Sequence, residues 1–598
     1  MKQHTIRLVP YNRHGEPPRK AAIVPVDFDD SGLSDTEKEL LSHLGAAADC
    51  MHPVSVYQKC VDAPGLSVFL EAIISRAEGN LKESLADYRT VFFLQNSPWA
   101  SQPKKNHVLS VSPGDRTRLK ELAAEEGLAK EFDQYSSYLF EDLTPNPRAG
   151  FYPPDLSEAE LTELGSEGLT VNSLVRRDGE GRPRVILNER FFRDACRAAA
   201  VHLRKARNLV TDPHFRMYLD AKIEELTTGS GEARRLADYH WIRHDHPIDF
   251  ILSTAIEVYD DEWKNIRGAA AAAVTIRNPG YDRFLEQLLE LVPRFEAEAP
   301  WKWKREGIDP ETLPKLKFVD VFSWTGDYLG SPGTVMAQSL PNDEWVGKNI
   351  GTVNLVYRNI CDAIFDISKG FVADEFFSPE TNRKYRDILP WADHVHSILH
   401  EIGHATGRQD PDHPGRAAQY LESEYSALEE TRAELFGMWA AGRAAEAGII
   451  DTEVEEAAYY AMLLSMVFSL SFDPEQAHIK ARNLIFHHLE EDGAVRRSKE
   501  NGKTHFTLDF ETLRPAVSAL LAETGNLKAA GDKAGTEKFR ERYCYTDSMK
   551  DEVDRRLENQ PRGRGLIFPE YRSGFAGGLE HPEFEEQGKF HLWFPAGR

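Results

Sequence analysis

The run His400-Glu401-Ile402-Gly403-His404 constrains this chain more than any other feature of its sequence. Apolar residues at 395, 398, 399, 402 and 405 have the spacing of a helix that packs on both sides. Residues four apart lie on one face of a helix, so both imidazoles can reach one metal ion, with Glu401 beside them. The alternative is a pair of ordinarily packed helix histidines. The apolar setting favours a metal-binding helix.

A catalytic zinc ion needs a third protein ligand and keeps one position open for water. Glu424 and Glu430 are the candidates, 20 and 26 residues after the second histidine. We favour Glu430, because Glu434 follows one helical turn later and can accept the free N–H of a ligating histidine. Glu429 is a second outer carboxylate beside the same ligand. The alternative for this acidic run is a solvated helix face.

Composition excludes several classes of partner and structure. The chain has 598 residues, 41% hydrophobic and 10% aromatic, which is enough to form two to four folded domains of about 100 to 200 residues each. Its 96 acidic and 72 basic side chains give a net charge of −24, which disfavours nucleic acid and anionic membranes as partners. Five cysteines without a C-x-x-C pair, and the lack of a signal peptide or apolar span, predict a cytoplasmic protein.

Along the chain, the predicted secondary structure changes from a mixture of helices and strands to mostly helices. A cleft between these two parts is a candidate substrate site. The predicted elements are a capped helix within 34–60, a strand pair within 170–187, strands at 318–322 and 352–356, and helices over 391–528 interrupted by loops at 409–415 and 493–503.

Together, the histidine run and Glu429–Glu434 resemble the paired signatures of the dipeptidyl-peptidase III family of zinc exopeptidases. Many members have a six-residue version of the histidine motif, and this chain has the five-residue form of some bacterial-type members. Ile256–Tyr259, Leu340–Asp343 and Gln476–Arg482 resemble three further family segments and occur in the same order. A weaker likeness extends over most of the chain, from about residue 34 to residue 543.

The resemblance implies one zinc ion per chain, held by His400, His404 and Glu430. The ion would acidify a bound water, and Glu401 would take the proton as that water attacks a peptide carbonyl. The positions that match Tyr259 and His478 supply a phenol and an imidazole to the developing oxyanion in the family.

The resemblance also implies residues that bind the substrate. Glu257 and Asn342 match positions that hold the free amino terminus of a peptide. Ser339 departs from the family, which commonly has Asn there, so recognition of the amine can differ. Arg482 either binds substrate carbonyls or pairs with an acid.

The fold implied by the resemblance is a helix-rich α+β fold. It has two lobes separated by a substrate cleft, a helical zinc-bearing lobe and a mixed lobe with a β-barrel core. The expected limits are a first part of the mixed lobe at 1–280, a helical segment at 281–322, a β-rich return with the substrate loop at 323–370, the catalytic lobe at 371–550, and a C-terminal return to the mixed lobe at 551–598.

The expected activity is zinc-dependent release of N-terminal dipeptides from short peptides that have a free amino terminus. Two alternatives stay open. One is a hydrolase on the same scaffold that acts on a non-peptide ester, lactone or secondary metabolite, which the departure at Ser339 motivates. The other is a catalytically silent peptide-binding protein.

Overall fold

The structure is a computed structural model that describes residues 7–16, 19–26, 28–99, 106–143, 150–164, 169–259, 267–305, 315–330, 337–408, 417–558 and 567–571. The chain divides into two compact units. Unit 1 contains Met1–Asn278, Lys315–Ala363 and Gly563–Arg598, and unit 2 contains Pro279–Pro314 and Ile364–Arg562.

The strands are β1 (Arg7–Arg13), β2 (Arg19–Val26), β3 (His107–Val108), β4 (Ser173–Arg177), β5 (Pro183–Leu187), β6 (Ile248–Tyr259), β7 (Arg267–Arg277), β8 (Lys315–Gly326), β9 (Ala337–Leu340), β10 (Val353–Tyr357), β11 (Val495–Glu500), β12 (Lys503–Leu508) and β13 (Ile567–Tyr571). The helices are α1 (Asp35–Asp49), α2 (His52–Lys59), α3 (Ala63–Arg76), α4 (Gly79–Gln95), α5 (Pro113–Glu125), α6 (Ala129–Phe140), α7 (Glu158–Leu164), α8 (Asn188–Phe191), α9 (Arg193–Leu209), α10 (Pro213–Thr228), α11 (Gly231–Trp241), α12 (Pro279–Glu290), α13 (Val292–Glu298), α14 (Asp327–Gly330), α15 (Glu344–Asn349), α16 (Arg358–Ile367), α17 (Lys369–Phe376), α18 (Pro379–Tyr385), α19 (Leu389–Ala405), α20 (Ala417–Leu421), α21 (Tyr425–Glu446), α22 (Thr452–Ser469), α23 (Ala477–Glu491), α24 (Phe510–Ala530), α25 (Lys533–Tyr543) and α26 (Lys550–Arg556).

A five-stranded sheet in the order β6-β7-β8-β10-β9 forms the centre of unit 1. Strands β6, β7 and β8 are antiparallel neighbours, whereas β8 and β10 run parallel. In β7, Ala269 to Ala273 are at most 3% exposed, and these small side chains let α1 and α2 pack on the sheet. The family resemblance implied a β-barrel core. In the described residues this sheet is a curled half-barrel and not a closed barrel.

Three smaller sheets complete the β-structure of the described residues. The order β13-β2-β1-β3 forms one sheet, and β4 pairs with β5 as the predicted hairpin. The third sheet corrects a prediction, because the segment expected as a loop at 493–503 belongs mostly to the hairpin of β11 and β12. Its two-residue turn is Asn501-Gly502, with φ values of 51° and 78°. These positive φ angles are those of a tight hairpin turn.

Unit 2 is largely helical, and its central helix is α19. Pro390 in the first turn of α19 suits a helix start, because its missing N–H would have no partner there. The helix ends at Ala405, Thr406 is extended, and Gly407 follows with φ 72°, a conformation that favours glycine. Helix α19 packs against α21 and α22, and α21 packs against α23 and α24.

The predicted helix-rich α+β class is confirmed. The helix at Asp35–Asp49 begins with the expected capping box of Ser34 and Glu37, and the strands at 318–322 and 352–356 lie within β8 and β10 or at their ends. Among the described residues, every helix is too short or too polar to cross a bilayer.

Candidate metal centre

Two helices of unit 2 bring three metal-ligating side chains together. His400 and His404 lie on one face of α19, and α21 places Glu430 against them. The two Nε2 atoms are 3.1 Å apart. Oε2 of Glu430 is 3.4 Å from Nε2 of His400 and 3.8 Å from Nε2 of His404. Three potential ligand atoms thus surround one point.

These distances fit a divalent ion such as zinc. Two ligands on a tetrahedral zinc ion, at bond lengths of about 2.0 to 2.1 Å, are about 3.3 Å apart. Oε2 of Glu430 is buried and makes no hydrogen bond of normal geometry with any described residue. A buried carboxylate oxygen without a donor needs a cation or a proton to offset its desolvation. The residues present therefore suit the metal that the sequence predicts.

The tautomer of His404 is set by Glu429. Nδ1 of His404 lies 2.9 Å from Oε1 of Glu429, so this nitrogen carries the proton and Nε2 directs its lone pair at the centre. Arg432 and Lys528 hold the same carboxylate, with Nη2 and Nζ at 2.7 and 2.8 Å. Burial opposes ionisation of Glu429, but Arg432, His404 and Lys528 outweigh it and keep the pKa of Glu429 well below its usual range.

Glu434 has the corresponding position at His400. Oε2 of Glu434 lies 3.5 Å from Nδ1 of His400, and Arg482 donates to Oε1 of the same carboxylate at 2.9 Å. Burial would raise the pKa of Glu434, but the positive charge of Arg482 and the contact with His400 hold it well below its usual range. Each histidine thus has its own outer carboxylate, and both carboxylates are ionised.

The field of these acids favours positive charge at the centre. Burial would lower the pKa of His400, but Glu430 and Glu434 raise it to about 10. A site that holds a proton this strongly also attracts a divalent cation, and the two compete for the same lone pair.

Arg432 is a residue that the sequence reasoning missed. Its side chain is 1% exposed, and Nη2 donates to the carbonyl of Gly403 at 2.8 Å while Nη1 donates to that of Thr406 at 3.2 Å. These carbonyls lie at the C-terminal end of α19, where backbone carbonyls run out of partners within the helix. Arg432 therefore joins the end of the histidine helix to Glu429. The spacing of Glu429 and Arg432, three apart on one helix, was the available signal.

The remaining predicted residues of unit 2 lie around this centre. Glu401 is exposed on α19, one position after His400. Nδ1 of His478, on α23, is 3.2 Å from Oε2 of Glu430. Of the two alternatives for Arg482, the structure shows the pairing with an acid, Glu434.

Glu424, the other candidate for the third ligand, lies elsewhere. Its Oε2 accepts a hydrogen bond from Nε of Arg540 at 2.8 Å, and it is not part of the group formed by the two histidines. Between the two glutamates, the geometry thus favours Glu430.

The predicted residues of unit 1 are described only in part. The side chains of Glu257 and Tyr259 lie outside the described residues, although their backbone belongs to β6. Nδ2 of Asn342 donates to the carbonyl of Ile256 at 2.7 Å. Ser339 is exposed on β9, opposite Asn354 of β10.

Comparisons with known proteins show which families and folds this chain is similar to. The sequence model of Peptidase family M49 matches residues 174–417, a span that includes both histidines and ends before Glu430. The chain is 25% identical over 550 residues to Nudix hydrolase 3 of Arabidopsis thaliana, an alignment that covers 86% of this chain and 68% of that protein. It is also 25% identical over 387 residues to dipeptidyl peptidase 3 of Nematostella vectensis, covering 55% of this chain and 51% of that protein.

Two solved structures have the same fold. The structure of DPP III from Caldithrix abyssi matches with a TM-score of 0.74 and 21% identity, covering 92% of this chain and 97% of that one. Dipeptidyl-peptidase III from Corallococcus sp. strain EGB matches with a TM-score of 0.62 and 21% identity, covering 92% and 95%.

Proposed function

We propose that this chain, which is similar to Peptidase family M49 over residues 174–417 and has the fold of two dipeptidyl-peptidase III structures, is a metallopeptidase of this family that binds one zinc ion and releases dipeptides from the N-terminus of short peptides. The observation that carries this proposal is the convergence of His400, His404 and Glu430, with ligand atoms 3.1 to 3.8 Å apart. Zinc held there would polarise the scissile carbonyl and acidify water.

In the proposed mechanism Glu401 is the general base. It follows His400 on α19 and is exposed, so its carboxylate is accessible to a water molecule at the centre. Glu401 takes a proton from the attacking water and returns it to the leaving amine. Glu429 holds His404 in the tautomer that leaves Nε2 free for the metal, and Glu434, 3.5 Å from Nδ1 of His400, would do the same for His400.

Donors to the developing oxyanion are proposed to come from His478 and Tyr259. The position of His478 beside Glu430 supports its role, because its imidazole is 55% exposed at the edge of the centre. The matching family segments support the roles of the other residues. These are Tyr259 as an oxyanion donor, and Glu257 and Asn342 as ligands of the peptide amine.

The proposal is tested with the zinc-loaded full chain and a library of short peptides, each in a free and an N-acetylated form. Mass spectrometry of the products is expected to show N-terminal dipeptides from the free forms only. Equal cleavage of acetylated peptides would contradict dipeptide release, and internal fragments would indicate an endopeptidase.

A second candidate function is hydrolysis of non-peptide esters or lactones, which the serine at 339 favours because the family commonly has an amide side chain there. A chromogenic ester panel run on the same zinc-loaded protein separates the two. Turnover of esters without turnover of any free peptide would replace the first proposal.

A further inference from the structure

Unit 1 contains a cavity of about 210 Å³ between α10, α11, β6 and the segment that follows β9. Tyr218, Trp241 and Leu252 are buried and line its apolar side. Pro341, half-buried, and Asn342, exposed, line the opposite side. Pockets for drug-sized ligands have about 300 to 1,000 Å³, so this one suits a smaller molecule or a single side chain.

The charges around the cavity do not balance. Lys222 pairs with Glu225 at 2.7 Å, and Arg234 pairs with both Glu225 and Glu189, at 2.9 and 3.2 Å. Asp238 also lines the cavity, and no described residue lies within hydrogen-bond or ion-pair distance of its carboxylate, although Lys222 and Arg234 are close enough to lower its pKa. Asp343, which also lines the cavity, pairs with Arg235 at 3.3 Å. Three cations thus face four carboxylates, and the excess negative charge belongs to Asp238.

A second acceptor on the cavity wall also lacks a partner. Asn172 is 7% exposed, and its Oδ1 makes no hydrogen bond within the part of the chain that the structure describes. Buried amide oxygens of this kind are nearly always bonded, to protein, water or ligand. The cavity therefore offers two acceptors without a hydrogen bond, while the cationic donors that line it, Lys222 and Arg234, are paired with Glu225 and Glu189.

We propose that this cavity is a binding site for small primary ammonium compounds, with Asp238 as the counter-ion and Asn172 as a second acceptor. An ammonium group has three N–H donors and one positive charge. It can therefore donate to both acceptors and neutralise the carboxylate of Asp238. The rings of Tyr218 and Trp241 suit a cation on a short apolar stem. The occupant is a free amine or the amino terminus of a peptide, since both present the same group.

The protonation of Asp238 makes this binding dependent on pH. Burial, with Glu225 and Asp343, raises the pKa of Asp238 to about 7, while Lys222 and Arg234 act to lower it. The carboxylate attracts a cation only when it is ionised. The affinity for an ammonium ion is therefore expected to rise as the pH passes upward through about 7.

The experiment is calorimetric titration of the zinc-loaded full chain with n-butylammonium and, separately, with n-butanol. Saturable binding of the amine at about pH 8, and a loss of affinity of about tenfold or more in Asp238→Asn, are expected from the loss of a charge-assisted hydrogen bond. Glu224→Gln, which changes an exposed carboxylate on α10 outside the cavity, is the control and is expected to bind like the parent protein.

Equal binding of the alcohol, equal affinity in Asp238→Asn, or no saturable binding would overturn the proposal. The alcohol arm uses the unmodified protein, so it does not depend on the folding of a variant. Alanyl-alanine and its N-acetyl form are then tested as competitors. Displacement of butylammonium by the free dipeptide alone identifies a peptide terminus as the occupant, and no displacement identifies a free amine. The assay needs no turnover, so its outcome is independent of the proposed peptidase activity.

Discussion

The metal centre of unit 2 and the Asp238 cavity of unit 1 each contain one carboxylate left over from a set of paired charges. At the metal centre that group is Glu430, whose Oε2 lies among imidazole nitrogens. At the cavity it is Asp238, which lies near aromatic rings and an amide oxygen. Excess negative charge favours a cation or a proton in both places, and the neighbours determine which cation fits. Nitrogen lone pairs favour a transition metal, whereas rings and oxygen acceptors favour an ammonium ion.

The largest expected effect is a loss of kcat without a loss of zinc. Glu401→Gln is expected to lower kcat by about 10²- to 10⁴-fold, because the general base is lost, while both histidines and Glu430 remain. Zinc content by mass spectrometry should stay at one ion per chain. Asp238→Asn is expected to leave the same kcat nearly unchanged when the substrate is saturating. Full activity in Glu401→Gln would remove this residue from the mechanism.

The second prediction compares one guanidinium from each site. Arg432→Met is expected to reduce the free energy of unfolding by about 3 to 5 kcal/mol, because it leaves a buried carboxylate and two helix-end carbonyls without that partner. A lysine still pairs with the carboxylate in both variants, but the Arg234 side chain is 22% exposed and that of Arg432 only 1%, so Arg234→Met is expected to cost less. Urea unfolding measures both. A smaller loss in Arg432→Met than in Arg234→Met would show that Arg432 is not the main tie between α19 and α21.

The third prediction concerns the outer carboxylates. Glu429→Gln is expected to weaken zinc binding by about 10- to 100-fold, because His404 loses the acceptor that fixes its tautomer. Glu424→Gln is the matched control, since Glu424 pairs with Arg540 and lies outside the group of ligands. Competition with a chelator measures both affinities. Equal losses in the two variants would mean that net charge, and not the hydrogen bond to His404, controls the affinity.

The last expected effect is on the pH dependence of stability. The pKa of Asp238 is about 7 in the folded chain, above the value of about 3.9 expected when the chain is unfolded. The folded state therefore holds the proton more tightly, and the stability gained below about pH 4 is lost as the pH rises to about 7. Asp238→Asn removes this loss. The melting temperature of the variant minus that of the parent should increase across this range, and a constant difference would contradict the assignment.

The convergence of His400, His404 and Glu430 could be predicted from sequence because the spacings that favour it are local. The histidines are four residues apart on one helix, and Glu430 precedes Glu434 by one turn of another. Lys528 was not predictable, since it lies 98 residues after Glu430 and no spacing connects them. The cavity could not be predicted from sequence for the same reason, because Asn172, Asp238 and Asn342 come from three distant segments.

In the fold, too, the elements set by local sequence were predicted, whereas those set by distant neighbours were not. The strand pair β4 and β5 was predicted from alternation and turn residues, and the helices of unit 2 from their apolar periodicity. Strand β7 was not identified, because a run of alanines favours helix by propensity, and only its place between β6 and β8 makes it a strand. The β11–β12 hairpin was expected as a loop, although Asn501-Gly502 is a strong hairpin signal.

All three proposed ligands come from two helices, α19 and α21, so the bond lengths at the ion depend on how far one helix has moved along the other. A shift by one residue is about 1.5 Å, whereas zinc–ligand distances tolerate about 0.2 Å. Small repacking far from the ion should therefore release metal before it unfolds the protein. Zinc content in purified preparations then becomes a sensitive gauge of damage to the helical core, usable for variants that show normal helical content by circular dichroism.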